Sequence, residues 1–202
     1  NLITYDTSGD PAYVVTGTSG HVLTSAGADA VPVFAEAAAG GVIQTLSKTY
    51  TGVSSGTQTT PYLAHADCSL AITPSSATNK ILITVHSSIA SDSGVHASLH
   101  FYKDSSEISG AMGVSGGTRV HAATGTGYIS TSNTHHANTI YSVSAQYADV
   151  SGGTSSIAYS YRIRTRQAGS SWYINRYPSD TGVADTIFQV HISTITLQEI
   201  VV

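Results

Sequence analysis

Carboxylates and histidines are the residues that could support catalysis or bind a metal. A glycan-cleaving site needs two carboxylates about 5–10 Å apart, one of them protonated. The chain holds only three glutamates, at Glu36, Glu107 and Glu199, and no carboxylate pair has a telling spacing. Four aspartates neighbour Gly, Ser or Pro, where Asp commonly bonds its own backbone: Asp10, Asp92, Asp104 and Asp180. We therefore expect no enzyme activity, although a pair formed in space or between chains stays open and would indicate a glycan-degrading spike.

Nine histidines raise the question of a metal site. His96 and His100 would share one face of a strand but lie roughly 13 Å apart along it, too far for one ion. His135 and His136 are adjacent, so a strand would point them to opposite faces. A single His from each of three chains could still meet on a threefold axis. The prediction is no metal and no cofactor, with hydrogen-bonded or solvated histidines.

The densest aromatic and basic cluster is Trp172, Tyr173, Arg176 and Tyr177. Aromatic faces stack on sugar rings, and Trp, Tyr and Arg also anchor protein interfaces. The hypothesis is that this segment, with the loop to Asp180, binds a cell-surface glycan. The alternative is that the Trp and the first Tyr fill the core or a subunit seam.

Arg162, Arg164 and Arg166 alternate along the chain, so a strand would place all three guanidinium groups on one face. Unopposed they repel each other. The pattern predicts carboxylates from a neighbouring strand or subunit as their partners, or an anionic glycan.

Strands must position these residues, because apolar and polar side chains alternate with a period of two. The alternation runs through 81–86, 141–147 and 157–164. Phe188, Val190 and Ile192 suggest a further strand face, with a bulge or bend near Ser193 where the phase slips. Gly-rich and Pro-rich turns separate the runs at intervals typical of a sandwich or barrel. We predict an all-β, antiparallel, jelly-roll-like β-sandwich.

Composition narrows the possible partners. Of the 202 residues 41% are hydrophobic but only 10% charged, and acidic residues outnumber Lys and Arg by twelve to eight. Nucleic-acid binding normally needs a basic patch, so no nucleic-acid partner is expected. No apolar run approaches the ~20 residues of a membrane span. Cys68 is the only cysteine, which predicts a small buried side chain and no intrachain disulfide.

The stretch from Gly17 to Phe34 separates a short N-terminal segment from the β-rich remainder. Its glycines Gly17, Gly20 and Gly27 predict tight turns. Its two short apolar runs could not be buried within one chain of this length, so copies would have to pack around a common axis. The domain prediction is a shaft or connector over 1–41 and a tip domain over 42–202.

The spacing G-x-x-G-x-V-L-T-S-x-G-x-x-x-x-P-x-F in that stretch resembles the shaft repeat of bacteriophage tail fibres. Three further segments resemble a marine-phage (cyanophage-type) tip domain: Ile72-Thr73-Pro74-Ser75-Ser76, Tyr173-Ile174-Asn175-Arg176, and Ser193 to Ile200. The similarity covers most of residues 17–200. It implies a homotrimeric tail fibre.

The function expected from this resemblance is attachment of a virion to a host-surface glycan by a non-catalytic trimeric tip. The expected partners are two more copies of the chain, other virion proteins on the N-terminal side, and the glycan. No membrane insertion is expected, and the protein would be virion-associated and extracellular when acting. An alternative is a structural head fibre or decoration protein without a receptor role. Because no initiator Met is present, we expect a processed chain or part of a longer protein.

Overall fold

The computed structural model of the protein describes residues 2–28, 30–36, 40–57, 68–92, 95–114, 122–126, 139–165, 168–180 and 190–202. The chain forms two compact units, Asn1–Gly41 and Val42–Val201. Each is described by itself below.

The first unit consists of two antiparallel hairpins. In the first hairpin the Asp6 carboxylate closes the turn, because its Oδ1 accepts hydrogen bonds from the backbone N–H of Ser8 at 2.8 Å and of Asp10 at 3.0 Å. This Asx-type bonding is what the residue types of the turn favour. The four strands are β1 (Leu2–Tyr5), β2 (Pro11–Val14), β3 (His21–Thr24) and β4 (Val33–Glu36).

Three glycines of this unit, those predicted to mark tight turns, serve two different purposes. Gly20 and Gly27 have φ values of 92° and 109°, which only glycine adopts freely, as predicted. Gly17 is needed for close approach instead, since a Cβ there would lie 2.5 Å from the Cβ of Phe34 and 2.9 Å from that of His21.

The second unit is an antiparallel β-sandwich, so the predicted all-β fold class is confirmed. The predicted strand alternations at 81–86, 141–147 and 157–164 all fall within strands. These strands are β5 (Gly41–Tyr50), β6 (Ser54–Thr57), β7 (Ser69–Ile72), β8 (Lys80–Ser91), β9 (Ala97–Lys103), β10 (Ser106–Glu107), β11 (Thr124–Gly125), β12 (Tyr141–Val150), β13 (Ile157–Thr165), β14 (Ser171–Ile174) and β15 (Ser193–Val201), with a 3-10 turn at Ser109–Ala111.

Strand order gives the sandwich a jelly-roll connectivity. In one sheet β12 pairs with one edge of β8, and β15 and β14 both pair with its other edge. β5 then pairs with β15, and β6 pairs with β14. The other sheet runs β7, β13, β9, with β10 and β11 both pairing with β9. The chain crosses between the sheets at six of the ten connections between the described strands, as in two interlocked Greek keys. Over the described residues, no helix is long and apolar enough to cross a membrane.

The core fills the space between the two sheets. Alternate residues of β8, such as Ile81, Ile83 and Val85, are fully buried, and they pack with alternate residues of β13. Cys68 is 1% exposed in the same core, which confirms it as a small buried side chain. The inward members of β13 are Ile157, Tyr159, Tyr161 and Ile163.

Two strands of the first sheet, β14 and β15, pair with different parts of the same strand, β8. Ile174 of β14 pairs with Ile89 of β8, and Thr194 of β15 pairs with His86 of the same strand. β14 and β15 therefore follow each other along β8. We call the described residues between them, 175–180 and 190–192, the excursion, because none of them belongs to a strand. Asn175, with a φ of 59°, begins this excursion.

The predicted strand around residue 190 is wrong where the structure describes it. Val190 and Ile192 are 62% and 53% exposed and precede β15, which begins at Ser193. The apparent phase slip is thus the start of a strand rather than a bulge within one. Phe188 lies outside the described residues.

Candidate functional site

The predicted glycan-binding segment spans the end of β14 and the start of the excursion that follows it. β14 places Trp172 and Tyr173 on opposite faces of the sheet, because neighbouring side chains of a strand alternate. Trp172 is 4% exposed and packs in the core. Its ring lies so close to β6 that a Cβ on Gly56 would come within 2.8 Å of Cζ2. The alternative interpretation of Trp172 as a core residue therefore matches its position.

Tyr173 is partly exposed and is held by an aspartate. Its hydroxyl donates to Oδ1 of Asp92 at 3.1 Å, and Oδ2 of the same carboxylate accepts from the N–H of Ser171 at 2.5 Å. Burial raises the pKa of the Tyr173 hydroxyl, and the negative charge of Asp92 raises it further. The ring is therefore fixed in a neutral, hydrogen-bonded state at the end of the sheet.

Of the remaining predicted residues, Arg176 lies beside that ring, and Tyr177 and Asp180 form a turn after it. The guanidinium carbon of Arg176 lies 5.6 Å from the centroid of the Tyr173 ring, a cation–π distance. The N–H of Asp180 donates to the carbonyl of Tyr177 at 3.2 Å, which closes a turn. Tyr173, Arg176, Tyr177 and Asp180 are all partly exposed.

A histidine missed by the sequence analysis belongs to this cluster. The rings of His191 and Tyr177 meet edge to face with centroids 5.8 Å apart. Nε2 of His191 is buried and has no hydrogen-bond partner among the described residues. Its backbone N–H donates to the carbonyl of Asn175 at 3.1 Å, which returns the chain to the start of the excursion. Because the contact depends on where the chain returns to Asn175, sequence spacing carries no signal for it.

Arg162 and Arg164 lie on the outer face of the second sheet, and Arg166 lies outside the described residues. The guanidinium carbon of Arg162 is 3.9 Å from the centroid of the Tyr102 ring. An aromatic face on the neighbouring strand therefore contacts Arg162, where a carboxylate was predicted. Arg162 stands next to His100 in the strand register.

The histidines considered as ligands make ordinary hydrogen bonds. His100 is 1% exposed, and its Nδ1 lies 2.6 Å from Oε1 of Glu107. Nδ1 of His96 lies 3.3 Å from the carbonyl oxygen of Thr126. Within the described part of the chain, no group of three or more His, Cys, Asp or Glu could hold a metal. His135 and His136 lie outside that part.

A concave surface lies between β12 and the turn that follows β9. It is a groove of about 500 Å³. Sequence analysis missed it because its walls come from segments about 40 residues apart whose proximity depends on how the sheets stack. Its lining residues are Lys103, Asp104, Ser106, Glu107, Ile108, Ser109, Gly110, Tyr147 and Asp149.

The first unit carries an unusual surface rather than a polar site. Of the large apolar side chains that the structure describes in this unit, only that of Val14 is buried. Ile3 and Tyr13 face each other across the first hairpin and are 61% and 72% exposed. Tyr5 is 67% exposed and Val15 is 83% exposed. We call Ile3, Tyr5 and Tyr13 the apolar stripe, since their positions share one face of the hairpin.

Comparisons with known proteins give no family. No family model matches the chain, and no curated protein matches it. A solved structure of infectious bursal disease virus, Gt strain, aligns with a TM-score of 0.39 and 10% identity, covering 91% of this chain and 45% of that one. A VP2 subviral particle of the same virus aligns with a TM-score of 0.38 and 11% identity, covering 93% and 47%. The chain thus spans less than half of these proteins, and no fold or function is inferred from a similarity this low.

Proposed function

We propose that the chain is a bacteriophage virion fibre protein whose trimeric, non-catalytic tip attaches to a host-surface glycan. The observation that carries the proposal is the apolar stripe of the first unit. A two-stranded hairpin is marginal in water by itself, and an exposed apolar face of this kind marks an interaction surface.

Two further copies of the chain are the partners that fit this surface. The four acidic residues of the first unit, without any Lys or Arg, disfavour a face-to-face ionic contact and leave apolar packing as the association force. The resemblance of residues 17–34 to a fibre shaft repeat supports the same arrangement. In this arrangement the N-terminal side joins other virion proteins, and the sandwich of the second unit is the tip.

The cluster of Tyr173, Arg176, Tyr177 and Asp180 is the proposed attachment surface. A partly exposed aromatic ring beside a guanidinium group suits stacking on a sugar ring with a hydrogen bond to its hydroxyls. Three tips per fibre would convert weak contacts into avidity.

Binding of the fluorescently labelled chain to a panel of intact bacteria and to a glycan array tests the attachment role. We expect binding that the double variant Arg176→Ala/Tyr177→Ala weakens while Val114→Ser, a change at a 99% exposed position elsewhere, does not. A folded double variant that binds cells normally would remove the cluster from the proposal. A chain that binds no cell surface at all would favour the structural head-fibre or decoration role instead.

One observation favours a second candidate function. Asp104, Glu107 and Asp149 line a single groove, the kind of convergence that a glycan-degrading spike requires. Incubation with bacterial surface polysaccharides, followed by an assay of new reducing ends, distinguishes a glycan-degrading spike from a non-catalytic attachment protein. Release of reducing ends that Asp149→Asn abolishes would replace the non-catalytic proposal.

A further inference from the structure

The groove between β12 and the turn after β9 presents a defined hydrogen-bonding chemistry. Among the described residues that line it, the single cationic one is Lys103, whose ammonium lies 2.8 Å from Oδ2 of Asp149 and 2.9 Å from each of the carbonyl oxygens of Val150 and Ser151. An ammonium group has three protons. All three are therefore committed to the protein, and Lys103 offers no remaining donor to a ligand.

The acidic residues of the groove keep acceptor capacity. Oδ2 of Asp149 accepts from Lys103 and from the Tyr159 hydroxyl at 2.8 Å. Asp104 uses Oδ1 to accept the N–H of Ala158 at 3.0 Å. Since an ionised carboxylate has about four acceptor sites on two oxygens, both residues can receive further hydrogen bonds. Three acidic residues and one lysine line the groove, so its surface is rich in acceptors and negative in charge.

Tyr147 supplies an aromatic wall. It lies on the inward side of β12 at the sandwich edge, and a Cβ on Gly110 would come within 2.6 Å of its hydroxyl. Glycine at this position therefore leaves room for the phenol. Ile108 adds apolar surface, and Ser106 and Ser109 add hydroxyls.

We propose that this groove binds a hydroxyl-rich saccharide that is neutral or carries an amine, and that it rejects acidic saccharides. A sugar ring presents a C–H face for the aromatic wall and several O–H donors for the carboxylates. A volume of about 500 Å³ accommodates a small ligand. A carboxylate on the sugar would meet the net negative charge of three acidic residues and one lysine, and Lys103 has no remaining N–H to donate to it. The inference rests on the groove alone and does not depend on the fibre role or on the Tyr173 cluster.

Saturation-transfer NMR and titration of the full-length chain with glucose, glucosamine and glucuronic acid test the proposal. Glucose and glucuronic acid form a matched pair, because they differ only by the carboxylate. We expect glucose and glucosamine to bind at millimolar concentration and glucuronic acid to bind at least about tenfold more weakly, a difference of ~1.4 kcal/mol. Tyr147→Ala should abolish binding, whereas Tyr141→Ala, on the same strand and the same face, should retain it.

Asp104→Asn keeps the test decisive if the Tyr147 variant fails to fold. Asparagine can still accept the N–H of Ala158, so the turn is retained while one negative charge is removed. This variant should reduce the discrimination against glucuronic acid. The proposal is overturned if the wild-type chain binds none of the three sugars, or binds glucuronic acid as well as glucose. Binding lost in Arg176→Ala/Tyr177→Ala but kept in Tyr147→Ala would also overturn it, and would leave the attachment role intact.

Discussion

Asn175, which follows β14, is joined to Ser193, which begins β15: the Ser193 hydroxyl donates to Oδ1 of Asn175 at 2.7 Å. The amide nitrogen of Asn175 donates to the carbonyl oxygens of Tyr50 and Gly52, each at 3.0 Å, which ties β5 and β6 to the same point. Its backbone N–H donates to the carbonyl oxygen of Ser88 at 2.8 Å. This buried asparagine therefore holds the base of the excursion that carries Arg176, Tyr177 and Asp180 of the Tyr173 cluster.

Asn175→Ala should lower the free energy of unfolding by about 2–4 kcal/mol, because two carbonyls and a hydroxyl lose their partner in a buried site. Urea unfolding followed by Trp172 fluorescence measures the change. Asn175→Gly is the matched control, since glycine accepts the positive φ but lacks the amide. A glycine variant as stable as wild type would show that the backbone angle, and not the side chain, makes this position important.

Glu199 gives the stability of the second unit a defined pH dependence. It is 1% exposed, and its Oε1 accepts from Asn79 Nδ2 at 2.6 Å and from the N–H and hydroxyl of Ser75, both at 2.7 Å. Burial raises its pKa, but the hydrogen bonds from Asn79 and Ser75 outweigh burial and hold the pKa below the ordinary value. The stabilisation is therefore present above the unfolded-state pKa of about 4.3 and is lost as the pH falls through the folded-state pKa.

Urea titrations between pH 7 and pH 3 test this linkage. Wild type should lose stability as the pH falls below about 4.3, and Glu199→Gln should lose less over the same interval while being about 1–2 kcal/mol less stable at pH 7. Glu36→Gln, at an exposed position of the first unit, should follow wild type. Parallel pH profiles for wild type and Glu199→Gln would contradict the assignment.

Trp172 is the only tryptophan and reports on the core of the second unit. Folded protein should show blue-shifted emission and weak quenching by acrylamide, both of which reverse on unfolding. Trp172→Ala should cost about 3–5 kcal/mol, as expected for a large aromatic removed from a core. Strong acrylamide quenching in the folded chain would instead place the indole at the surface, as a sugar-binding role requires.

Arg162 should stabilise the second sheet through the Tyr102 ring. Arg162→Ala should lower the free energy of unfolding by about 0.5–2 kcal/mol, because it removes both the cation–π contact and the packing of the side chain. Arg162→Lys should recover only part of the loss, since an ammonium cannot stack as a planar guanidinium does. If Tyr102→Leu and Arg162→Ala reduce stability additively in a double-mutant cycle, the two side chains do not interact.

The alternation of apolar residues predicted the strands of the sandwich because each strand has one face toward the core. The same pattern could not place Trp172 in the core or Tyr173 outside it. Both residues are aromatic, so the sequence does not show which of them faces the core. It also failed at Val190 and Ile192, where apolar residues are exposed before β15. The groove between β12 and the turn after β9 depends on how the sheets stack. The contact of His191 with Tyr177 depends on the excursion that begins at Asn175. Neither is encoded in local spacing.

The most direct test of the fibre account is the solution mass of the full chain by light scattering, with Ile3→Ser/Tyr13→Ser as the stripe variant and Val114→Ser as the control. The account predicts a mass near three times 20.8 kDa for wild type and for the control. It also predicts dissociation of the stripe variant, because the exposed apolar pair of the first hairpin would lie between copies. A wild-type chain that remains a 20.8 kDa monomer at micromolar concentration would contradict the trimer and, with it, the shaft assignment of residues 1–41.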